Sequence, residues 1–372
     1  MKQLKIDPQI ERFDSFAEFI KGFDIGEKDL IFTGASVFNR FIKPLGLRCD
    51  VLLRSEFGTG EPSDEMVNAV YRAMGDKRYD RVIAVGGGSV IDIGKLLCVK
   101  RANDINDFYD GKAKLKKESG LILVPTTCGA GSEVTSISVI YRTKLQTKQG
   151  LSGSALSADY AVLIPELLEI LPYEAFVYSA IDALIHAVES FLSPKASSYT
   201  SMFSEQAIRS IIKGFQRVAQ EGPQARMQIL GDFLVASNYA GIAFGNAGCA
   251  AVHAMSYPLG GVFHVAHGES NYALFTAILK TYYAIAPHGL IKAFNSLLAE
   301  LLDCAADSSV YDALQELLGR LIPRKPLGAY GMTKEQAIAF SYSVMEQQQR
   351  LLANNYVPLS RATVEGIYLN LL

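Results

Sequence analysis

The sequence lacks several features that would place it in common protein classes. Its 36 basic and 38 acidic side chains give a formal net charge of −2 without runs of like charge, so the basic surface that nucleic-acid binding needs is missing. The N-terminal segment has no apolar core of a secretory signal, and no stretch reaches the length of a membrane span without charges or helix breakers. We therefore expect a cytoplasmic protein that binds a small molecule and neither nucleic acid nor membrane.

Paired cysteines are also missing. The five cysteines are odd in number, widely spaced and without a Cys-x-x-Cys pair: Cys49, Cys98, Cys128, Cys249 and Cys304. This pattern is typical of small buried apolar side chains in a reducing compartment.

Length and hydropathy patterning predict two domains. The 372 residues, 49% of them hydrophobic, exceed what one core usually covers. Short apolar runs at 29–33, 50–53, 81–85 and 121–124 predict buried parallel strands that alternate with helices, one of them over 63–74. From about Tyr173 amphipathic helices replace the strands, for example over 199–218, 224–243 and 334–352. We predict a doubly wound, Rossmann-like α/β domain over 1–172, followed by an all-α metal and substrate domain over 173–372.

Two glycine-containing loops follow neighbouring predicted strands. The first is Val85-Gly-Gly-Gly-Ser-Val-Ile-Asp92, in which the glycines allow a sharp turn and the next helix points N–H groups at any anion there. Taken alone, this run is also consistent with a tight turn without a ligand, and the Gly-x-Gly-x-x-Gly fingerprint is absent. The second, Pro125-Thr-Thr-Cys-Gly-Ala-Gly-Ser-Glu-Val-Thr135, adds hydroxyl donors at the adjacent strand end. Together the loops favour a dinucleotide site.

Four side chains have the composition of a metal site. Asp182 and His186 are four residues apart on a predicted helix and therefore share one face. His253 and His267 lie on either side of a predicted helix break at Pro258. Any one of these histidines is more often a structural residue than a ligand. A carboxylate with three imidazoles suits Fe(II), or Zn(II) as the alternative, acting as a Lewis acid.

These motifs, in this order and spacing, resemble the iron-containing (group III) alcohol dehydrogenases over essentially the whole chain. The runs that carry the resemblance are the two loops, Asp182-Ala-Leu-Ile-His-Ala-Val-Glu189, and His253-Ala-Met-Ser-Tyr-Pro-Leu-Gly-Gly261 with the later His267-Gly268. The resemblance implies the dehydroquinate synthase-like architecture of that family, a nicotinamide cofactor, a metal ion and a homo-oligomer, a dimer or larger.

The resemblance also implies roles for individual residues. The metal ligands would be Asp182, His186, His253 and His267. The cofactor-binding residues would be Gly87, Gly88, Ser89 and Asp92 in the first loop, Thr126, Thr127 and Ser132 in the second, and Lys148, which matches a lysine that reaches the cofactor ribose. A bound cation would stabilise the charge that develops on the substrate oxygen during hydride transfer, so no protein nucleophile is expected.

Two positions depart from the family pattern. Where many members have a second histidine for proton transfer, this chain has Tyr257, whose phenol, with an ordinary pKa of about 10, is a poorer proton carrier at neutral pH. Where NAD-preferring relatives often place an aspartate, this chain has Thr33-Gly34, a pair that accommodates NADP as well as the NAD that we expect.

The substrate expected from the resemblance is a small primary alcohol. The runs 60–66, 238–248 and 349–356 are similar to the fermentative members that interconvert 4-hydroxybutyrate and succinate semialdehyde. A distant carboxylate needs a cationic partner, for which His264 and Lys325 are the candidates. The alternatives are another small alcohol or diol, maleylacetate reduction, or a catalytically silent dinucleotide-binding protein, against which the intact ligand set argues.

Overall fold

The structure, a computed structural model, describes residues 3–372. The chain forms two compact units, one of residues 6–172 and one of residues 173–372 joined by residues 3–5. In the second unit, Asn246 holds the N-terminal segment by accepting a hydrogen bond from the Lys5 backbone N–H and donating one to the Lys5 carbonyl.

The first unit contains a parallel six-stranded sheet. Its strands are β1 (Gln9–Arg12), β2 (Asp29–Thr33), β3 (Asp50–Leu53), β4 (Arg81–Gly86), β5 (Gly120–Pro125) and β8 (Tyr160–Leu163), in the order β1-β8-β5-β4-β2-β3. An antiparallel hairpin, β6 (Ile137–Arg142) and β7 (Thr147–Ser152), forms a separate two-stranded sheet. Because β4 and β5 are adjacent and parallel, with Gly86 opposite Pro125, the two glycine-containing loops leave the same edge of the sheet.

Helices cover both faces of this sheet, as the continuous apolar runs predict. They are α1 (Phe16–Gly22), α2 (Ala35–Val37), α3 (Asp64–Met74), α4 (Gly88–Leu97) and α5 (Asn106–Tyr109). Alternate residues of a strand face opposite sides. Leu30 and Phe32 accordingly belong to one buried cluster and Ile31 to another. The helix predicted over 63–74 has Ser63 as its N-cap, with the Ser63 hydroxyl accepting from the Met66 N–H.

The second unit is helical. Its helices are α6 (Tyr173–Leu192), α7 (Ser198–Glu221), α8 (Leu230–Ala247), α9 (Ala251–Phe263), α10 (His267–Ile285), α11 (Leu290–Leu302), α12 (Val310–Leu321), α13 (Lys334–Gln347), α14 (Gln349–Leu352) and α15 (Arg361–Asn370). The predicted fold class, a parallel α/β region followed by a helical region, is confirmed. Among residues 3–372, α6 alone is long and apolar enough to cross a membrane, yet 83% of its apolar window is buried inside the unit, the pattern of a central core helix.

Four sequence predictions differ from the structure in detail. The predicted helix break at Pro258 is wrong, because Pro258 lies inside α9. The run 29–33, taken as the first strand, is β2, because the strand β1 precedes it. The helix predicted over 224–243 opens as a short 3-10 turn over Pro223–Gln228, and α8 proper spans Leu230–Ala247. The helix predicted over 334–352 is interrupted at Gln348, between α13 and α14.

Candidate functional site

Helix α6 brings two of the predicted metal ligands into the core of the helical unit. Asp182 and His186 lie one turn apart, each 5% exposed, with 4.0 Å between the His186 Nδ1 and the Asp182 Oδ2. The helix is buried along nearly its whole length, so these polar groups are withdrawn from solvent. Buried ionisable side chains are costly unless they are paired or bound to an ion, which makes this helix the natural place to look for a site.

Helices α9 and α10 contribute the other two predicted ligands. His253 lies in the first turn of α9, and its Nε2 is 3.6 Å from the Asp182 Oδ1. His267 is the first residue of α10, and its Nε2 is 3.8 Å from the same oxygen. Three helices that are far apart in sequence therefore direct a carboxylate and two imidazoles to one point.

His186 occupies a slightly different position. Its ring stacks on His253, with 4.5 Å between centroids, and on Phe244, at 4.2 Å. Two donor sets share His253: one is Asp182, His253 and His267, and the other is His186, Cys249 and His253, with the ligand atoms of each set within 4.8 Å of one another. The structure thus gathers all four predicted ligands around His253 and adds a thiol that the sequence did not mark as a ligand.

This donor chemistry fits a divalent transition metal ion. Imidazole nitrogens with one carboxylate oxygen suit Fe(II) or Zn(II), and one carboxylate offsets half of the charge of a divalent ion. Burial acts to raise the pKa of Asp182, but the imidazoles of His186, His267 and His253 outweigh it and hold that pKa well below its usual range. The carboxylate is therefore ionised and available as a ligand.

The two glycine-containing loops pack against each other in the first unit. Gly87 is the N-cap of α4 and provides no side-chain cap, and a Cβ at Gly87 would lie 3.2 Å from the Thr127 Cγ2. A Cβ at Gly88 would lie 3.1 Å from the Ala130 Cβ. The glycines therefore allow the second loop to approach the N-terminus of α4, whose N–H groups and partial positive charge suit a pyrophosphate.

Comparison with known proteins decides the family. Models of the iron-containing alcohol dehydrogenases match residues 10–165, and the C-terminal model of the Fe-containing alcohol dehydrogenase family matches residues 176–372. The chain belongs to the iron-containing alcohol dehydrogenase family. It is an oxidoreductase, and enzymes of this family use NAD(H) and a metal ion.

Individual relatives match most or all of this chain. It is 50% identical over 368 residues, 99% of each chain, to 4-hydroxybutyrate dehydrogenase of Clostridium kluyveri. It is 36% identical over 302 residues, 79% of this chain and 75% of the relative, to long-chain-alcohol dehydrogenase 1 of Geobacillus thermodenitrificans. Its fold matches that of sulfoacetaldehyde reductase from Bifidobacterium kashiwanohense in complex with NAD+, with a TM-score of 0.86, 22% identity, and coverage of 100% of this chain and 99% of that one.

Two predicted cofactor residues of this alcohol dehydrogenase are engaged in a buried network. The Asp92 carboxylate accepts from the Ser132 hydroxyl at 2.6 Å and from the Val139 N–H at 3.0 Å. The fully buried Lys95 donates to Ser132 at 2.6 Å, to the Thr135 hydroxyl at 3.0 Å and to the carbonyl of residue 137 at 2.6 Å. Asp92 and Ser132 therefore fasten the second loop to α4. Sequence reasoning missed Lys95, although it lies three residues after Asp92 on the same helix.

The remaining cofactor predictions lie on the same unit. Thr126 is buried, and its N–H donates to the carbonyl of Gly86 at 3.0 Å. Lys148 lies on β7, where its ammonium is 2.8 Å from the Glu61 carboxylate. Ser89 is partly buried in the first turn of α4.

Glu189 contacts the candidate site and was missed by sequence reasoning. It lies on α6, two turns after Asp182, and is 3% exposed. Its carboxylate accepts from the Ala250 N–H at 2.9 Å, the Val252 N–H at 2.6 Å and the His253 Nδ1–H at 2.6 Å. Glu189 thus caps the N-terminus of α9 and turns the His253 Nε2 toward Asp182. Burial acts to lower the pKa of His253, but the Glu189 and Asp182 carboxylates raise it to about 9.

Asn271 was missed as well, although it follows His267 by one helical turn. Its amide nitrogen donates to the Asp182 Oδ1 at 2.6 Å and lies 3.2 Å from the His253 Nε2 and 3.3 Å from the His267 Nε2. Its Oδ1 is buried and has no hydrogen-bond partner within residues 3–372. The Asn271 amide therefore fixes the Asp182 carboxylate relative to both imidazoles.

A glycine sets the approach of α10 to α6. A Cβ at Gly268 would lie 2.3 Å from the carbonyl oxygen of Tyr178, a backbone atom that cannot move aside cheaply. Because Gly268 directly follows His267, this close contact determines how near that imidazole comes to Asp182.

The three predicted substrate-side residues lie in different environments. The Tyr257 ring is 6.2 Å from that of His267, one turn along α9 from His253. His264 is exposed and ends α9 in the left-handed conformation, with φ 55°. Lys325 is ion-paired with Glu269 at 2.7 Å.

Proposed function

We propose that this enzyme catalyses the reversible NAD-linked oxidation of 4-hydroxybutyrate to succinate semialdehyde at a metal centre formed by Asp182, His186, His253 and His267. The observation that carries the proposal is the convergence of the Asp182, His253 and His267 donor atoms from three helices. The substrate is proposed from the 50% identity to the Clostridium kluyveri 4-hydroxybutyrate dehydrogenase, which extends over 99% of both chains.

The side chains around the proposed centre have separate tasks. A bound divalent ion, Fe(II) in our proposal and Zn(II) as the alternative, supplies the Lewis acidity that favours negative charge on the substrate oxygen during hydride transfer. Asp182 provides the anionic ligand, Glu189 keeps the His253 Nε2 directed at the centre, and Asn271 holds the carboxylate in place. Such outer hydrogen bonds orient ligands and raise their basicity.

We propose NAD as the cofactor, bound by residues of both loops. Gly87, Gly88 and Ser89 at the start of α4 would hold the pyrophosphate. Residues of the second loop and the hairpin would bind the rest of the cofactor: Thr126 and Thr127 on the nicotinamide side, and Lys148 at the ribose. Asp92 and Ser132 contribute by positioning the second loop, because their polar atoms bind each other.

The substrate carboxylate is proposed to interact with His264. Of the two candidates, Lys325 already has the Glu269 carboxylate as its partner, and this favours His264. Tyr257, beside the His267 ring, is proposed to hydrogen-bond the substrate. Replacing His264 with Ala should raise KM for 4-hydroxybutyrate much more than KM for 1-butanol, whereas equal effects would remove His264 from the carboxylate site.

One experiment tests the function and its metal dependence. The protein is treated with a chelator, reloaded with Fe(II), Zn(II) or no metal, and assayed with NAD or NADP on 4-hydroxybutyrate and on 1-butanol, which has the same carbon number but no carboxylate. We expect the highest kcat/KM with Fe(II), NAD and 4-hydroxybutyrate. Full activity without metal would contradict the proposal, and a preference for 1-butanol would support the second candidate, an uncharged alcohol, which the 36% identity to the long-chain-alcohol dehydrogenase favours.

We also propose that the enzyme is a cytoplasmic homo-oligomer, a dimer or larger. Analytical ultracentrifugation of the full chain, alone and with NAD, tests the oligomeric state.

A further inference from the structure

Cys249 is built into a rigid connection between α8 and α9. The preceding Gly248 has φ 85°, and a Cβ there would lie 2.4 Å from the Asn354 side-chain nitrogen. That nitrogen donates to the Cys249 carbonyl at 2.9 Å, and the following Ala250 donates its N–H to Glu189. The backbone on both sides of Cys249 is therefore anchored, which fixes the direction of its Cα–Cβ bond.

The fixed thiol faces two imidazoles. The Cys249 sulfur and one nitrogen each of His186 and His253 lie within 4.8 Å of one another, and all three side chains are buried. Asp182 and His267 are absent from this set. One sulfur and two nitrogens form a softer donor set than one carboxylate and two imidazoles, and soft ligands select thiophilic cations.

We propose that Cys249, His186 and His253 form a second cation-binding position for a thiophilic divalent ion such as Cd(II). This inference goes beyond the proposed dehydrogenase function, which uses the set that contains Asp182 and His267. On binding, a metal–sulfur bond forms while the thiol proton leaves to solvent, with no change of oxidation state. Because the proposed catalytic centre and this second position both need His186 and His253, only one of them is filled at a time.

The shared imidazole has a functional consequence. An ion held by the thiol uses His253, which is then no longer available to the position formed with Asp182 and His267. A thiophilic ion therefore inhibits by leaving that position incomplete rather than by covering the substrate site. Burial raises the pKa of the Cys249 thiol well above its ordinary value. An ion that binds the thiol must displace its proton.

The test is a Cd(II) titration of the chelator-treated full chain. All proteins carry C49S and C304S, because these two partly exposed cysteines would otherwise contribute thiolate bands. With one equivalent of Cd(II), we expect an ultraviolet thiolate-to-cadmium charge-transfer band and a ¹¹³Cd NMR shift of a sulfur-bound ion. Replacing Cys249 with Ser should abolish the band and weaken Cd(II) binding by more than about tenfold.

Two comparison variants separate the two positions. Cys98→Ser changes a buried cysteine of the other unit and should leave the band unchanged. His267→Ala removes a ligand of the Asp182 set alone and should also retain it.

The inference is overturned if one equivalent of Cd(II) on the Cys49→Ser, Cys304→Ser protein gives a ¹¹³Cd shift of nitrogen and oxygen ligands only. This measurement uses the Cys49→Ser, Cys304→Ser protein alone, so it does not depend on the folding of any other variant. It is independent of the proposed function as well: an active enzyme without the thiolate signal refutes the second position alone, while the signal in a protein inactive on every alcohol refutes the dehydrogenase proposal alone.

Discussion

The hydrogen bonds of Glu189 allow the most direct test of how the centre is positioned. Glu189→Gln keeps the shape of the side chain but leaves one acceptor oxygen in place of two. In one orientation of the amide, that oxygen accepts from the Ala250 N–H and the His253 Nδ1–H, and the new NH2 group lies against the Val252 N–H. In the other orientation, the oxygen accepts from the Val252 N–H, and the NH2 group lies against the other two donors. At least one buried donor loses its partner, at a cost of about 1–3 kcal/mol.

We expect this cost to appear in metal binding. Loss of a hydrogen bond to a ligating imidazole typically weakens metal affinity by about 10- to 100-fold, equivalent to about 1.4–2.8 kcal/mol. Affinity is measured by competition between the protein and a chromophoric chelator, and folding by urea unfolding of the same preparations. Glu174→Gln, an exposed change in the first turn of the same helix, is the matched control and should alter neither quantity.

The result that refutes this reasoning is specific. If Glu189→Gln lowers the free energy of unfolding but changes metal affinity less than about twofold, Glu189 is only a cap of α9 and does not position His253.

Three further predictions follow from neighbouring contacts. Asn271→Ala should weaken metal binding by about tenfold or more in the same competition assay, because Asp182 loses its 2.6 Å donor, and an unchanged affinity would contradict that role. Lys95→Met should lower the free energy of unfolding by about 3 kcal/mol, since it leaves the Asp92 carboxylate without its cationic partner, and it should also raise KM for NAD. Adding Asp92→Asn to this variant should restore part of the stability, and no recovery would argue against the pairing. Because the pKa of His253 is raised to about 9, a proton competes with the ion below that pH, so metal affinity should increase with pH by up to about tenfold per unit and level off above pH 9. A flat profile between pH 7 and 9 would show that His253 binds no proton there.

The central strands β2, β4 and β5 could be predicted from sequence because they are buried on both faces, whereas the central strand β8 was missed. A strand such as Leu30-Ile-Phe32 is then a continuous apolar run, which has few alternative structural interpretations. The edge strand β1 escaped prediction because its one large apolar residue, Ile10, is 40% exposed. Strand β7 escaped as well, since it contains Thr, Lys, Gln and Gly, residues that are poor indicators of a buried strand. Its partner β6 was overlooked although it is rich in β-branched residues.

The candidate ligands could be predicted to the extent that they follow local rules. Asp182 and His186 obey the i, i+4 spacing of one helix face, whereas the partners of Glu189 lie more than 60 residues away and become visible only in the fold. Asn271 was within reach of the same spacing rule, since it follows His267 by four residues. Cys249 also lies four residues from His253, a spacing that equally suits packing, and its relation to His186 depends on how α6 packs beside the start of α9.

The contact between Gly268 and Tyr178 means that the absence of a Cβ at position 268 sets the distance between α10 and α6. A chain that carries every predicted ligand but alanine at position 268 would force α10 away from α6 and leave the His267 imidazole short of its partners. Redesign of this scaffold for another ion must therefore preserve the bare backbone at position 268 as strictly as the donor side chains themselves.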